Sequence, residues 1–248
     1  MIRGLYTAAT SMQVQMNKMD VITNNMANAD TIGYKKDSMV QESFSSRLAK
    51  RIDEIGDTKI GAMNVGVGTS RVVTNFSQGT LKSTGGDLDI AIEGDGFFVV
   101  STDRGERYTR MGDFSLNAEG TLIDANGDAV LDSDGNEITM PSGGSISIGT
   151  NGTISVNGES IATLKVVSFE NQNFLEKEGE GLYKLLDGAT EKEFTGSVRQ
   201  GYTEGSNVNI VKEMVNMISL NRNYEANQKV IQTHDSLMDK AVNDVGRL

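Results

Sequence analysis

The sequence has no cysteine, no tryptophan, one proline and one histidine. Without cysteine the chain forms no disulfide, no thiolate metal site and no thiol nucleophile. The single histidine, His234, excludes most histidine-built metal sites, and it lies within an amphipathic C-terminal segment that favours a structural role. A pair of carboxylates such as Glu93 and Asp95 leaves a glycosidase as an alternative, but tryptophan platforms for a sugar are lacking. We therefore predict that the protein is not an enzyme and uses no cofactor or metal.

Positive charge and long apolar runs are scarce as well. The chain carries 34 acidic and 23 basic residues, a formal net charge of −11. Nucleic acids and anionic membranes attract clusters of lysine and arginine, so we expect no nucleic-acid partner. No run reaches the roughly 18 apolar residues of a transmembrane segment. The first twenty residues also lack the apolar core of a cleavable signal peptide.

Glycine and charge divide the 248 residues into parts of different composition. Of the 28 glycines, 26 lie between Gly33 and Gly205. Because glycine costs about 1 kcal/mol in a helix interior, the two ends are free to be helical and the middle is not. The net charge is −12 for residues 81–200, against +2 before and −1 after that segment. The acidic middle therefore forms a separate part of the protein.

This division predicts an α+β fold, with long N- and C-terminal helices that form a coiled-coil-like pair and a β-rich central domain inserted between them. The expected parts are an N-terminal axial helix (1–32), a connecting arm (33–80), a β-rich central or outer domain (81–200) and a C-terminal axial helix (201–248). Within the arm, the pattern of residues 40–55 suits a short helix. Residues 61–70, with spaced glycines, suit an extended segment.

Apolar residues recur in steps of three and four at both ends, which predicts one apolar stripe on each helix. Helices of this length expose more apolar edge than a small domain buries, so we expect them to contact each other and neighbouring copies. In the C-terminal stripe, Asn221, Gln228 and Asp235 occupy intervening positions. The predicted subunit-interaction residues are Leu5, Met12, Met16, Met19, Met26, Ile210, Met214, Met217, Tyr224, Ile231, Met238 and Val242.

The middle of the chain contains turn dipeptides between short β-prone runs. Asn126-Gly127, Asp134-Gly135, Asn151-Gly152 and Asn157-Gly158 predict antiparallel hairpins with one solvated face. The acid-rich stretch DANGDAVLDSDGNE lacks the glycine and glutamate that an EF-hand requires at its sixth and twelfth positions. We interpret its carboxylates as residues of solvated turns. A secreted β-rich binding or adhesion module with calcium at these turns is the alternative from another functional class.

Three segments of the sequence, in order along the chain, share motifs with one protein family. The first is GLYTAATSMQVQMNKMDVITNNMANADTIGYKK, in which the family's turn motif corresponds to Asn25, Asn28, Gly33 and Tyr34. A proline common before this glycine is Ile32 here. The second comprises LDIAIEGDGFFVV and RYTRMGDFSLNAEGTLIDANGDAVL, and the third is GYTEGSNVNIVKEMVNMISLNRNYEANQKVI. Together the three segments cover nearly the whole chain, and they resemble the bacterial flagellar rod and hook proteins, most closely the distal-rod branch.

The resemblance implies an exported structural subunit of the bacterial flagellar basal-body rod. Its terminal helices would line the inner tube of a helical homopolymer that transmits motor torque to the hook, with the β-rich middle outside. The implied partners are further copies of the chain, other rod and hook proteins, and the flagellar type III export apparatus. The implied location is the rod within the cell envelope. A proximal rod subunit or a hook-type subunit is the alternative within the family, and 248 residues suit a rod subunit better than a hook subunit.

Overall fold

The computed structural model describes residues 2–43, 67–141 and 143–245. It shows an α+β protein with an N-terminal helix, a β-rich central region and a C-terminal helix, as predicted. The predicted short helix at residues 40–55 is wrong at residues 40–43, which belong to a strand, and residues 44–55 lie outside the described residues. Of the predicted extended segment, residues 67–70 form part of a strand and residues 61–66 lie outside the described residues.

The described residues form two α-helices, one 3₁₀ turn (Gln172–Phe174) and 18 strands. The helices are α1 (Ile2–Ala27, 26 residues) and α2 (Ile210–Val245, 36 residues). The strands are β1 (Asp37–Ser43), β2 (Val67–Thr74), β3 (Leu81–Ser83), β4 (Ile90–Glu93), β5 (Phe97–Thr102), β6 (Gly105–Thr109), β7 (Ser115–Leu116), β8 (Leu122–Ile123), β9 (Ala129–Val130), β10 (Ile146–Ile148), β11 (Thr153–Val156), β12 (Glu159–Thr163), β13 (Val166–Phe169), β14 (Leu175–Gly179), β15 (Leu182–Leu185), β16 (Glu191–Lys192), β17 (Ser197–Gln200) and β18 (Tyr202–Glu204).

The chain divides into two compact units. The helical unit comprises Met1–Ala27, Asp37–Val73 and Asn209–Leu248, and it contains α1, α2 and the two-stranded ribbon of β1 and β2. The β unit comprises Asn28–Lys36 and Thr74–Val208. Each helix of the first unit is therefore joined by the chain to a segment of the second.

The β unit is built around an antiparallel sheet in the order β14-β15-β6-β5-β9-β8-β7, with β13 pairing both β5 and β16. Smaller pairings are β10-β11-β12, β17-β4 and β18-β3. Strand β5 has apolar side chains on both faces: Phe97 and Val99 belong to one buried cluster, Phe98 and Val100 to another. The predicted single solvated face is therefore wrong for β5, because its run of four apolar residues is buried on both sides.

The predicted Asn-Gly hairpin turn is confirmed between β11 and β12. Asn157 and Gly158 join β11 to β12 as a two-residue loop, and both have positive φ angles, 54° and 87°. Two successive positive φ angles match the right-handed twist of adjoining strands, and asparagine followed by glycine adopts them with little strain. Gly127, Gly135 and Gly152 also have positive φ angles.

Candidate subunit-interaction site

Helices α1 and α2 contact each other within the helical unit. The Asn227 side chain donates hydrogen bonds to Ser11 Oγ at 3.1 Å and to Gln15 Oε1 at 3.3 Å. Further along, the His234 ring lies so close to Gly4 that a Cβ there would be 2.8 Å from Nε2. The later residue of α2, His234, lies beside the earlier residue of α1, Gly4, so the two helices run antiparallel.

Asn209 starts α2 as its N-cap. Its side-chain oxygen accepts a hydrogen bond from the Lys212 backbone N–H at 3.0 Å, and its carbonyl accepts one from the Glu213 N–H at 3.0 Å. Asparagine is among the preferred residues at this position because it satisfies an amide that the first helical turn leaves free. The end of the family signature Ser206-Asn207-Val208-Asn209 therefore coincides with the beginning of the helix.

The predicted interaction residues of α2 fall into two groups. Met217, Tyr224, Ile231 and Met238 are half-buried. Ile210, Met214 and Val242 are exposed. Between these half-buried residues, the side chains that turn inward are Leu220, Asn227 and His234. The sequence predicted Asn221, Gln228 and Asp235 instead, and each of these lies one residue later in the chain.

The predicted interaction residues of α1 are less exposed. Leu5, Met12, Met19 and Met26 are partly buried, whereas Met16 is 47% exposed. The most buried apolar residues of α1 are instead Ala8, Val14 and Ile22. Contact of the predicted residues with another subunit remains a prediction, and exposure leaves Met16, Ile210, Met214 and Val242 accessible for it.

The two asparagines of the turn motif, one near the end of α1 and one directly after it, bond to the chain that follows this helix. Asn25, 1% exposed, donates from Nδ2 to the Asp37 carbonyl at 2.8 Å and accepts from the Asp37 N–H at 2.9 Å. Its amide therefore pairs with β1 much as a neighbouring strand would. Asn28 follows the last residue of α1 and accepts a hydrogen bond from the Thr31 hydroxyl at 3.3 Å. Such local bonds compete with helix continuation and favour a turn.

The other two motif residues, Gly33 and Tyr34, stand beside a buried group of charges in the β unit. Lys35 Nζ lies 2.6 Å from Glu204 Oε1, and Arg110 Nη1 lies 3.2 Å from Glu204 Oε2. The three side chains are each 1% exposed. We call Lys35, Arg110 and Glu204 the charge cluster. It joins the segment after α1 to the strand β18, which lies just before α2.

Backbone groups complete the surroundings of the charge cluster. Glu204 Oε1 also accepts the Gly79 N–H at 2.7 Å, and Lys35 Nζ donates to the Ser77 carbonyl at 3.0 Å. The Gly33 N–H donates to the Glu204 carbonyl at 2.7 Å. The Arg110 guanidinium lies 4.9 Å from the centroid of the Phe97 ring. One carboxylate thus pairs with two cations, and the three buried side chains together carry one net positive charge.

Burial determines the protonation behaviour of the charge cluster. It lowers the pKa of Lys35, because desolvation of the ammonium outweighs the stabilising Glu204 carboxylate and Arg110 adds repulsion. Burial lowers the pKa of Arg110 in the same way, again opposed by Glu204. In both cases the Glu204 carboxylate is the largest influence that opposes desolvation, and Asp95 acts in the same direction more weakly.

Asn207 makes a second connection between the same chain segments. Its Nδ2 donates to the Asn75 carbonyl at 2.8 Å and the Ser77 carbonyl at 2.9 Å, and its Oδ1 accepts the Lys36 N–H at 2.8 Å. Nearby, Lys177 Nζ lies 3.7 Å from the centroid of the Tyr34 ring. The segment after α1 and the C-terminal signature, far apart in sequence, thus meet within the β unit.

Sequence reasoning missed the charge cluster. Lys35 and Glu204 both lie inside quoted family segments, but nothing in a linear pattern shows that residues 169 positions apart form an ion pair. Arg110 lies in the central segment and gave no separate signal. The sequence offered one indication of the charge cluster, namely that all three of its residues lie within the segments that resemble the flagellar family.

The acid-rich turns hold their carboxylates on backbone amides. Asp124 Oδ1 accepts from the N–H groups of Asn126 and Asp128 at 2.8 and 2.9 Å, and Asp132 Oδ1 accepts from Asp134 and Asn136 at 3.0 and 2.8 Å. Asp124 is only 2% exposed, so the prediction of a solvated turn is wrong at that residue. Among residues 2–43, 67–141 and 143–245, no three acidic or histidine side chains are grouped so as to hold a metal ion.

We expect a calcium chelator to leave the melting temperature of the full chain unchanged, because the turn carboxylates are occupied by backbone donors. The measurement is thermal unfolding with excess chelator, with calcium, and with sodium chloride of matched ionic strength. A calcium-specific rise in melting temperature that disappears in Asp132→Asn plus Asp134→Asn would contradict this expectation.

Comparison with known protein families yields matches in three parts of the chain. The family described as flagella basal body rod protein matches residues 5–35. The flagellar hook protein FlgE/F/G D1 domain matches residues 91–156, and the flagellar basal body rod FlgEFG protein C-terminal region matches residues 199–244. The first and third matches contain the turn motif and the C-terminal signature that the structure brings together.

Curated proteins similar to this chain match it over nearly its full length. The flagellar hook-basal body complex protein FlhO of Bacillus subtilis is 34% identical, over all of both chains. The flagellar basal-body rod protein FlgG of the same bacterium is 35% identical, over 98% of this chain and 99% of FlgG. The flagellar basal-body rod protein FlgF of Caulobacter vibrioides is 33% identical, over all of both chains. Neither described helix is long and apolar enough to cross a membrane.

Proposed function

Because this chain belongs to the flagellar basal-body rod protein family and is a structural subunit of the flagellar rod rather than an enzyme, we propose that it assembles with further copies of itself into a helical tube. It acts in the flagellar basal body, next to other rod and hook proteins. The observation that supports self-assembly is the set of apolar side chains that both helices leave exposed, including Met16, Met214 and Val242.

Helices α1 and α2 form a coiled-coil-like pair in this proposal. From Met217 to Met238, the half-buried residues of α2 together with buried Leu220 follow each other in alternating steps of three and four, the spacing of a coiled-coil seam. The bonds of Asn227 to Ser11 and Gln15 provide a polar layer inside this seam. A polar layer costs some stability but fixes the register of the two helices.

Within the family we propose a distal-rod subunit that transmits torque to the hook and leaves the cell through the flagellar type III apparatus. The support is the resemblance to the distal-rod branch, which includes the signature Ser206-Asn207-Val208-Asn209. The structure gives these residues definite roles, since Asn207 holds the segment after α1 and Asn209 caps α2. A proximal-rod subunit is the second candidate, because the resemblance in the three segments extends to that branch of the family.

We expect Ile231→Asp to abolish motility in a strain that depends on this protein. Ile231 is half-buried and lies one step from Asn227 and His234 on the side of α2 that faces α1. A carboxylate there would be partly desolvated without a partner, at a cost of roughly 1 to 3 kcal/mol. Swimming in soft agar measures the effect, and electron microscopy of the purified protein shows whether tubes form.

The matched control is Gln232→Asp, which introduces the same carboxylate on the exposed neighbouring position. It should leave swimming and tube formation unchanged. Normal motility of the Ile231→Asp strain would show that this seam is not needed for assembly. Equal loss with both variants would point to an effect of charge rather than of the seam.

A further inference from the structure

Helix α2 exposes an apolar face on the side away from α1. Val211, Val215 and Ile218 are 72%, 61% and 54% exposed, and Met214 is also exposed. We call these four residues the back face of α2. Their centre lies about half a turn around the helix from Leu220, which is buried, and from Asn227, which bonds to α1. The exposed apolar area is on the order of 400 Å², as large as the largest patch on a typical monomer.

Helix α1 exposes a second face that carries no charge. Tyr6, Ala9, Gln13 and Met16 follow in steps of three and four, and all four are exposed. We call them the back face of α1. No charged residue occurs anywhere from Gly4 to Asn17. A helix face that remains in water usually carries charged residues, so this composition favours a covered surface.

The two back faces lie at different heights of the helical unit. Ser11, in the middle of the α1 face, is bonded to Asn227, whereas the α2 face is centred about 12 residues earlier on α2. At about 1.5 Å per residue this separates them by roughly 20 Å along the helix axes. One molecule therefore cannot bring its own two faces together. A contact between them must join two molecules, and because the two faces differ, such a contact does not close on itself.

We infer that the back face of α2 binds the back face of α1 in a second copy of this chain, head to tail. This inference rests on the proposed function, since it requires self-assembly. Joining two uncharged faces desolvates no ion, which favours this occupant over a charged partner. A stable pairwise interface needs about 800 Å² from each partner, so one such contact is weak and many must form together, as in a helical tube.

The absence of cysteine allows a direct test by cross-linking. One chain carries Met16→Cys and a second carries Val215→Cys, and the two are mixed at concentrations that give tubes or stacks in electron microscopy. Under mild oxidation we expect a disulfide-linked heterodimer of the two variants. Its yield should exceed by at least tenfold the yield of either homodimer. The heterodimer should not form when the same oxidation is carried out at a concentration too low for tubes or stacks.

The matched control replaces Val215→Cys by Lys229→Cys, which is exposed on the same side of α2 beyond the apolar residues. It should give at least tenfold less heterodimer with Met16→Cys. Tubes without the Met16–Val215 cross-link, or with equal cross-linking at Lys229, would overturn this contact and leave the proposed function standing. An excess of homodimers would contradict the head-to-tail contact and indicate a symmetric contact between identical faces. Neither tubes nor cross-links under any condition would overturn both proposals.

Discussion

Replacing Glu204 by glutamine is expected to lower the free energy of unfolding of the β unit by about 3 to 5 kcal/mol. Glu204 is the carboxylate that bonds both Lys35 and Arg110 in the charge cluster, and all three side chains are 1% exposed. Glutamine keeps the shape but removes the charge, which leaves two repelling cations buried without an anion bonded to them. Because the pKa values of Lys35 and Arg110 are already lowered by burial, the loss of Glu204 favours their exposure to water.

Thermal or urea unfolding of the full chain measures this effect. For a chain of this size the loss corresponds to a fall in melting temperature of roughly 6 to 20 °C. The control Glu170→Gln removes the same charge at an exposed position and should change the melting temperature by less than about 2 °C. Adding Lys35→Met to Glu204→Gln should recover part of the loss, since one buried cation is then removed. A melting temperature of Glu204→Gln equal to that of the control would mean that the cluster contributes little.

Replacing Gly33 by alanine is expected to lower the free energy of unfolding by about 2 to 4 kcal/mol. Two effects add at this position. Gly33 has a φ angle of +67°, which an L-residue adopts at a cost. A Cβ would also lie 2.6 Å from the Arg110 carbonyl carbon and from the Met111 nitrogen, so a backbone segment would have to move. That movement would also disturb the Gly33 N–H bond to the Glu204 carbonyl.

Gly85→Ala is the matched control for Gly33→Ala. Gly85 has a similar φ angle, +75°, but an added Cβ would meet no atom within 4 Å. This variant therefore shows the cost of the backbone conformation alone, about 1 to 2 kcal/mol. Unfolding in urea gives both values. Equal destabilisation by the two substitutions would show that the close approach to residues 110 and 111 is not what requires glycine at position 33.

The sequence by itself was sufficient for the arrangement of helical ends and a β-rich middle. Local preferences carry this information, because 26 glycines between Gly33 and Gly205 disfavour helix there and the apolar periodicity favours helix outside. The same holds for tight turns such as Asn157-Gly158, whose conformation depends on two residues alone. The absence of a catalytic set followed from composition. The family followed from resemblance rather than from physical pattern.

Only the tertiary structure decided which side chains meet. The stripe inferred for α2 contained Asn221 and Gln228, whereas the structure buries Leu220 and half-buries Asn227. Two apolar faces overlap in the sequence, and periodicity alone does not tell which of them faces α1. Strand β5 is buried on both faces because a separate apolar cluster covers each face. One cluster includes Ile92 and Val198, and the other includes Phe76 and Tyr183.

The charge cluster depends on the tertiary structure most of all. Lys35, Arg110 and Glu204 read as ordinary surface charges in the sequence. They become a buried triad because the fold brings residues 35 and 204 together across 169 positions, and ion pairing depends on distance and solvent exclusion, neither of which a linear pattern contains. The need for glycine at position 33 also depends on the tertiary structure, because the backbone of residues 110 and 111 leaves no room for a Cβ there.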